Sequence, residues 1–149
     1  MLRAIAFFIL WSLSVYLMHR LVHGVRGLGR WHARHHAVVA AGRQGWHWNN
    51  LLLFNDDWPS TADLWMTEIA PALGCAWLTQ AYWPLLAYYL YAALLQERLE
   101  HNPRFSLYPW LTAGAWHVAH HRDPRVNFGF LTPAWDILFG TAKALAPKG

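Results

Sequence analysis

The chain has 149 residues, of which 56% are apolar and 13% charged, and 12 basic against 8 acidic residues give a formal net charge of +4. This length suits a single domain over residues 1–149, and the low charge without a low-complexity tract excludes a disordered protein. The single cysteine, Cys75, excludes an internal disulfide and a cysteine-based zinc cluster. Ten histidines are unusual in so apolar a chain.

The first apolar segment, residues 4–18, predicts a membrane helix that continues to His23 and leaves the bilayer there. The segment alone gives about 22 Å of helix, which is short against a hydrocarbon core of about 30 Å. No small-residue cleavage site follows it, so we expect a membrane helix rather than a cleaved signal peptide. Three glycines between residues 24 and 29 then predict a break before a second helix over residues 31–41.

The second apolar stretch, residues 62–96, follows a polar loop, and Ser60 with Asp63 resembles a capping box at its start. A threonine, a glutamine and a proline indicate a turn near residues 79–83, with arms of about 25 Å on either side. We therefore predict a helical hairpin here. A helix is expected over residues 111–121, while the proline-broken segment 128–140 is too short to span and should pack on the domain or lie at the membrane interface.

Eight of the ten histidines fall in three short patterns: HRLVH at 19–23, WHARHH at 31–36 and WHVAHH at 116–121. On a helix, imidazoles three and four residues apart share one face, and two of them can bind one cation at about 2 Å each. Adjacent histidines diverge by about 100°, so one HxxHH pattern can serve two neighbouring metals. Eight or nine imidazoles exceed the need of one tetrahedral zinc and suit two ions. A pH-sensing surface is the alternative, but it does not require this spacing.

The two remaining histidines differ in their surroundings. His101 follows the predicted hairpin and is a candidate ninth ligand, whereas His47 lies in the loop GWHWNN and is expected to be structural. Imidazole suits iron, zinc, copper and nickel, so the ligand type alone does not choose the metal.

The predicted hairpin decides on which side of the membrane the histidines lie. A single crossing by residues 62–96 would separate the early histidine patterns from the last one, whereas a hairpin places all of them on one side. The same side then carries nine arginines, which the positive-inside rule assigns to the cytoplasm: Arg20, Arg26, Arg30, Arg34, Arg43, Arg98, Arg104, Arg122 and Arg125. We expect an all-α integral membrane helical bundle with a histidine-rich dimetal site on its cytoplasmic face. Nucleic acid is not expected as a partner, because the basic residues directly follow an apolar run.

The order HRLVH, WHARHH, EHN (100–102), HVAHHRDPRVNFG (117–129) and WDILFGT (135–141) resembles the fatty acid hydroxylase/sterol desaturase superfamily over about residues 16–141, as a small, bacterial-type member. The resemblance implies a membrane-bound non-haem di-iron oxygenase that hydroxylates or desaturates a lipid, such as a fatty acyl chain or a sterol, with O2. It also implies two iron ions, with zinc possible in a purified form, and these ligands: His19, His23, His32, His35, His36, His101, His117, His120 and His121. On the same likeness, Asn127 is a polar group near the ligands or shapes a turn, and Asp136 is a structural contact of the closing segment.

The implied partners are a lipid substrate in the bilayer, O2 and an external electron donor such as a cytochrome b5-type protein or a ferredoxin, because no haem or flavin motif is present. The chain lacks the extra N-terminal membrane helices of larger members. Carotenoid hydroxylases of the β-carotene type are nearer in size and share the HxxxH and HxxHH patterns, but usually carry two histidines where ERLEHN has one. Two further alternatives are a non-enzymatic metal-binding membrane protein, such as a zinc carrier, and a metal-dependent hydrolase with Glu97 or Glu100 as its base.

Overall fold

A computed structural model of the chain describes residues 1–42, 45–55 and 57–143. Within these ranges the regular structure is helical apart from one isolated β-bridge, which confirms the predicted all-α class. The elements are α1 (Leu2–Gly24), α2 (Arg26–Ala40), a 3-10 helix (Trp48–Leu52), α3 (Trp58–Leu64), a π turn (Trp65–Ile69), α4 (Ala70–Thr79), α5 (Tyr82–Tyr91), a second π turn (Ala92–Gln96), α6 (Glu97–Leu99), α7 (Ala115–Arg122) and α8 (Ala134–Leu138).

Three apolar helical arms form the scaffold. The first is α1, the second runs from α3 through a π turn into α4, and the third runs from α5 through a π turn into α6. Gln80, with a left-handed φ of 53°, ends α4, and α5 begins two residues later, so the predicted hairpin turn near residues 79–83 is confirmed. The buried core lies between the arms and includes Phe7, Trp11 and Val15 of α1.

Among the described residues, α1 is the one helix that is both long and apolar enough to cross a membrane. It packs against α4 and also contacts α5, so its first half lies beside the hairpin turn. Its last turns, which carry His19 and His23, therefore lie at the opposite end of the bundle. This arrangement places the histidine-bearing end of α1 near the start of the second arm and the end of the third.

The break between the first two helices is much shorter than predicted. Only Val25 interrupts the helical conformation, with φ −111° and ψ 109°, and α2 begins at Arg26 rather than at residue 31. A Cβ atom on Gly29 would lie 2.6 Å from the carbonyl oxygen of Val22, so this glycine permits a close approach of α2 to the end of α1. Gly29 therefore serves helix packing, and the tight turn brings the first two histidine patterns together.

This close approach predicts opposite effects for two neighbouring glycines. Gly29→Ala should destabilise the protein by on the order of 1–3 kcal/mol, because the added methyl group meets a backbone oxygen that cannot move freely. Gly27→Ala is the matched control: nothing lies within 4 Å of its Cβ position, and alanine favours a helix by about 1 kcal/mol over glycine. Thermal unfolding of both variants in detergent checks this, and equal melting temperatures would contradict the packing role of Gly29.

The start of the second arm also differs from the prediction. Asp57, not Ser60, is the N-cap of α3, and its carboxylate accepts a hydrogen bond of 2.9 Å from the backbone N–H of Ser60. Asp63 is not part of a capping box but lies buried one turn further on.

Of the last two predicted segments, the first is shorter than expected and the second packs on the domain. The predicted helix 111–121 is observed as α7, which starts only after Gly114 (φ 81°), a position where a Cβ would clash with the backbone of Phe105. Segment 128–140 packs on the domain, which is one of the two positions predicted for it. Phe130 joins the core, and the ring of Phe128 meets that of Tyr16 edge to face. Arg43, one of the arginines predicted to be cytoplasmic, lies outside the described residues.

Candidate metal centre

Nine histidines converge in two adjacent clusters at one end of the bundle. In each cluster, every ring offers a nitrogen atom, and these atoms all lie within 4.8 Å of one another. The five-histidine cluster contains His19, His23, His32, His36 and His120, and the four-histidine cluster contains His35, His101, His117 and His121. These are the nine histidines predicted as ligands from the resemblance. His47 is in neither cluster and caps the 3-10 helix instead.

The HxxHH patterns supply both clusters because of helix geometry. In α2, His32 and His36 lie one turn apart and enter the five-histidine cluster, whereas His35 points to the other cluster. In α7 the division is reversed, since His120 alone joins the five-histidine cluster. The clusters touch: the ring centroids of His36 and His121 are 4.2 Å apart. Each pattern thus contributes to two neighbouring candidate ion positions.

The five-histidine cluster has its Nε2 atoms turned inward. The Nε2 atom of His32 lies 3.1 Å from that of His19 and 3.0 Å from that of His36, and the Nε2 atoms of His23 and His120 are 3.1 Å apart. Two nitrogen ligands at about 2.1 Å from one ion are separated by roughly this distance. The inward-facing nitrogens therefore have the spacing of a shared coordination shell.

Two backbone carbonyls hold rings of this cluster from behind. The Nδ1 atom of His19 lies 2.8 Å from the carbonyl oxygen of Phe128, and the Nδ1 atom of His120 lies 2.8 Å from that of Val126. Each Nδ1–H donates to its carbonyl when Nε2 is the inward nitrogen, which selects the tautomer and fixes the ring plane.

A carboxylate that the sequence analysis did not assign to the site holds a third ring. The Oδ2 atom of Asp63 lies 2.8 Å from Nδ1 of His32, and both side chains are buried. The signal in the sequence is an acidic residue inside an otherwise apolar stretch, and its spacing from Ser60 resembles a capping box instead. Its partner lies 31 residues away, beyond the reach of any local pattern.

The loop that carries the two carbonyls is anchored by the closing segment. Asp136 is fully buried and accepts hydrogen bonds from the backbone N–H groups of Phe128 (2.8 Å) and Gly129 (2.7 Å) and from the Thr141 hydroxyl (2.7 Å). A Cβ on Gly129 would lie 2.7 Å from the same carboxylate, so only glycine fits. Asp136 thus makes the structural contact expected for it, and through that contact supports the ring of His19.

Asn127 lies between the two carbonyl-bearing residues and has a left-handed φ of 57°. Its side chain is fully buried and bonds the closing segment: Oδ1 accepts from the backbone N–H of Lys143 (2.7 Å), and Nδ2 donates to the carbonyl of Lys143 (3.3 Å). Asn127 therefore shapes the turn between Val126 and Phe128, and the hydrogen bonds of its amide go to backbone rather than to a histidine.

The four-histidine cluster is built from rings without such support. The Nε2 atoms of His121 and His117 are 3.0 Å apart, and the His35 ring lies 5.0 Å from His121 and 5.2 Å from His101 between centroids. Within the described residues, Nδ1 of His121 and both nitrogens of His101 are buried without a hydrogen-bond partner. Glu97 comes no closer to Nδ1 of His101 than 3.8 Å.

Burial keeps these imidazoles neutral. Loss of hydration, together with the nearby imidazoles, lowers the pKa of His35 to about 4 and the pKa values of His101 and His120 to about 3. Neutral imidazole is the form that binds metal ions, so the rings are available as ligands at physiological pH. The nine rings, two of which (His101 and His121) have buried nitrogens without a partner among the described residues, fit two ions with five and four nitrogen ligands, and imidazole suits iron as well as zinc.

A small polar cavity of about 30 Å³ adjoins both clusters. His19, His32, His35, His101 and His117 line one side, and acidic and amide side chains line the other. Besides the two ring nitrogens of His101, three buried polar atoms on its wall lack a hydrogen-bond partner in the described part of the chain: Ser60 Oγ, Asp63 Oδ1 and Gln96 Oε1. Glu100, one of the two predicted candidate bases, also lines it and accepts a hydrogen bond of 3.3 Å from the Tyr91 hydroxyl.

An apolar groove of about 290 Å³ lies nearby between α1 and α5. Its lining is almost entirely hydrocarbon and aromatic, and includes Phe7, Phe8, Trp83 and Ala87. Trp11 and Tyr88, with ring centroids 4.5 Å apart, form part of its wall. The Trp11 ring also meets Phe130, and the Tyr88 hydroxyl donates to Glu68, and both of these partners line the polar cavity. The groove and the cavity are therefore separated by one layer of side chains.

A family model described as fatty acid hydroxylase matches residues 4–141. The match includes all nine clustered histidines, Asp63 and the loop held by Asp136. No solved structure matches the chain.

Proposed function

Because the chain belongs to the fatty acid hydroxylase family, a family of oxidoreductases, we propose that it is a membrane-bound non-haem di-iron oxygenase that hydroxylates or desaturates a lipid chain. Membership confirms the resemblance inferred from the histidine patterns. The observation that carries the proposal is the pair of touching clusters with five and four imidazoles. Both clusters take histidines from the same two helices, α2 and α7. Two independent structural zinc sites would not need this arrangement.

The chemistry divides between the metal, a donor and the chain. When bound, two ferrous ions would supply the reduction of O2 and the oxidation of an unactivated C–H bond. Hydroxylation uses one O2, two electrons and two protons and releases one water, whereas desaturation releases two. An external protein supplies the electrons. The chain's own residues hold nine imidazoles in place and confine the site to a cavity too small for bulk water.

The apolar groove supports a lipid as the substrate. Its lining offers an alkyl chain hydrocarbon contacts, and it lies between two helices of the scaffold rather than at the polar end. A chain in the groove lies one side-chain layer from the polar cavity, across Trp11 and Tyr88. Movement of these two rings would bring a methylene group towards the clusters.

The exposed tryptophans support placement in a membrane. Trp58 and Trp77 are 73% and 69% exposed and stand at the two ends of the second arm. Their separation along a helix corresponds to about 28 Å, close to the thickness of a hydrocarbon core of about 30 Å. Tryptophans favour the two membrane interfaces. With the arginines gathered near the histidines, the metal site would lie at the cytoplasmic face.

Reconstitution tests the proposal. We expect the protein, purified from membranes and loaded with ferrous iron, to contain two irons per chain and to oxidise lipid when O2 and a reducing partner are supplied. Mass spectrometry of the lipids identifies an added oxygen or the loss of two hydrogens, and β-carotene is assayed in parallel as the substrate of the carotenoid alternative. A single tightly bound zinc, with no oxidation of either substrate, would contradict the proposal and favour a metal-binding protein without enzymatic activity.

Filling the groove is expected to reduce activity without loss of metal. Ala87→Trp places a large ring where the alkyl chain would lie, and we expect at least a tenfold decrease in turnover, since a displaced substrate loses its alignment. Leu86→Trp is the matched control, because Leu86 is exposed on the same helix outside the groove. Lipid oxidation and metal content are measured for both variants. Equal activities would exclude the groove as the substrate site.

A further inference from the structure

The two histidine clusters differ in the hydrogen bonds that their ring nitrogens make to residues outside the clusters. In the five-histidine cluster, three of the five rings have a hydrogen-bond partner outside the cluster: the Asp63 carboxylate and the carbonyls of Phe128 and Val126, each at 2.8 Å. These partners are themselves fixed, because the carbonyls belong to the loop that Asp136 anchors and Asp63 lies in the second turn of α3.

No ring of the four-histidine cluster has a hydrogen-bond partner outside the clusters among the described residues. His101 and His121 present buried ring nitrogens without a partner, and Nε2 of His117 meets only His121. The rings that lie next to His35 include those of His32, His36 and His101. The polar cavity borders three of these four histidines and also His19 and His32 of the five-histidine cluster, so the clusters differ in the hydrogen-bond partners of their rings rather than in access to the cavity.

This difference has a direct consequence for metal affinity. An outer partner fixes the tautomer and the ring plane before the ion arrives, and loss of one such partner typically lowers metal affinity 10- to 100-fold. A ring without a partner must be ordered by the ion itself, at the expense of binding free energy. We infer that the five-histidine cluster retains its ion at least tenfold more tightly than the four-histidine cluster, and that Asp63 is a positioning residue for the tighter site.

Unequal affinity implies an order of loading. The five-histidine cluster fills first, and the four-histidine cluster binds its ion at a higher free metal concentration. The inference rests on the proposed function only in requiring that both clusters bind ions. It does not depend on which lipid is oxidised or on whether the enzyme turns over.

Zinc titration of the intact protein in detergent tests this, with zinc as a redox-silent probe. The protein is equilibrated with a zinc chelator at graded free zinc concentrations, and the ions that remain per chain are counted by mass spectrometry of the metal. We expect two steps separated by at least a factor of ten in free zinc. His101→Ala should remove the weaker step and leave the tighter one, which assigns the steps to the clusters.

Asp63 variants test the cause. Asp63→Ala should weaken the tighter step 10- to 100-fold and leave the weaker step in place, and Asp63→Asn, whose amide oxygen can still accept from His32, should recover part of the loss. Glu97→Gln is the matched control at the other cluster and should leave the tighter step unchanged. Thermal unfolding of the metal-free variants separates a loss of affinity from a failure to fold.

The outcomes separate the two ideas. Release of both ions in one step, or an unchanged tighter step in a folded Asp63→Ala protein, would overturn the inference while leaving the proposed function in place. Binding of fewer than two ions by the wild-type protein would contradict the proposed function itself.

Discussion

Replacing His120 with alanine is expected to abolish retention of the ion in the five-histidine cluster and to reduce lipid oxidation by about 100-fold or more. The His120 ring is fully buried, its Nε2 lies 3.1 Å from that of His23, and its Nδ1 lies 2.8 Å from the carbonyl of Val126. Alanine removes one inward nitrogen and leaves that carbonyl without its donor. Metal analysis after gel filtration and the lipid assay measure the two losses.

His47→Ala provides the control for this experiment. His47 belongs to neither cluster and caps a short 3-10 helix, so we expect both ions and most of the activity to be retained. Similar melting temperatures for the metal-free forms of the two variants would show that the loss in His120→Ala is local. Full retention of two ions by His120→Ala would remove His120 from the ligand set.

Asp136→Ala is expected to unfold the closing loop and to release metal, although Asp136 is not itself a candidate ligand. Its carboxylate accepts three hydrogen bonds in a fully buried position, and alanine leaves two backbone N–H groups and one hydroxyl without their acceptor. The expected cost is on the order of 3–5 kcal/mol. The carbonyl of Phe128 then no longer holds the His19 ring. Thermal unfolding and metal content both report the change.

Asp123→Asn is the control that separates the effect of removing a buried carboxylate from that of removing a carboxylate at the surface. Asp123 forms ion pairs with Arg125 (2.9 Å) and Lys143 (3.1 Å) at the protein surface, where solvent screens the charges, so its loss should leave both readouts unchanged. Asp136→Asn retains one acceptor oxygen and is expected to fall between alanine and wild type. A wild-type melting temperature for Asp136→Ala would disprove the anchoring role.

The histidines could be predicted from the sequence because helix geometry is local. Spacings of three and four residues place rings on one helix face whatever the rest of the fold does, and the polar residue Gln80 between two apolar runs marks the hairpin turn. His101 lay outside any such pattern and was found through its position after the hairpin. The location of all nine rings at one end of the bundle follows from that hairpin.

What could not be predicted depends on partners that are distant in the chain. The role of Gly29 is set by the carbonyl of Val22 on another helix, whereas three glycines within six residues locally predict a break. Asp63 finds His32 across 31 residues, and the same carboxylate near a helix start imitates a capping box. In both cases a contact between distant parts of the chain, which local sequence patterns do not contain, determines the role of the residue.

The anchored loop has a consequence for how the protein matures. Residues up to Leu99 build the three apolar arms but supply only His19, His23, His32, His35 and His36, so neither cluster is complete when these arms leave the ribosome. His101, α7 and the carbonyls of Val126 and Phe128 arrive afterwards. Formation of a complete metal site must therefore follow synthesis of the last third of the chain. Until then, the arms are held by contacts among themselves: apolar packing and hydrogen bonds such as that from the Tyr88 hydroxyl to the Glu68 carboxylate.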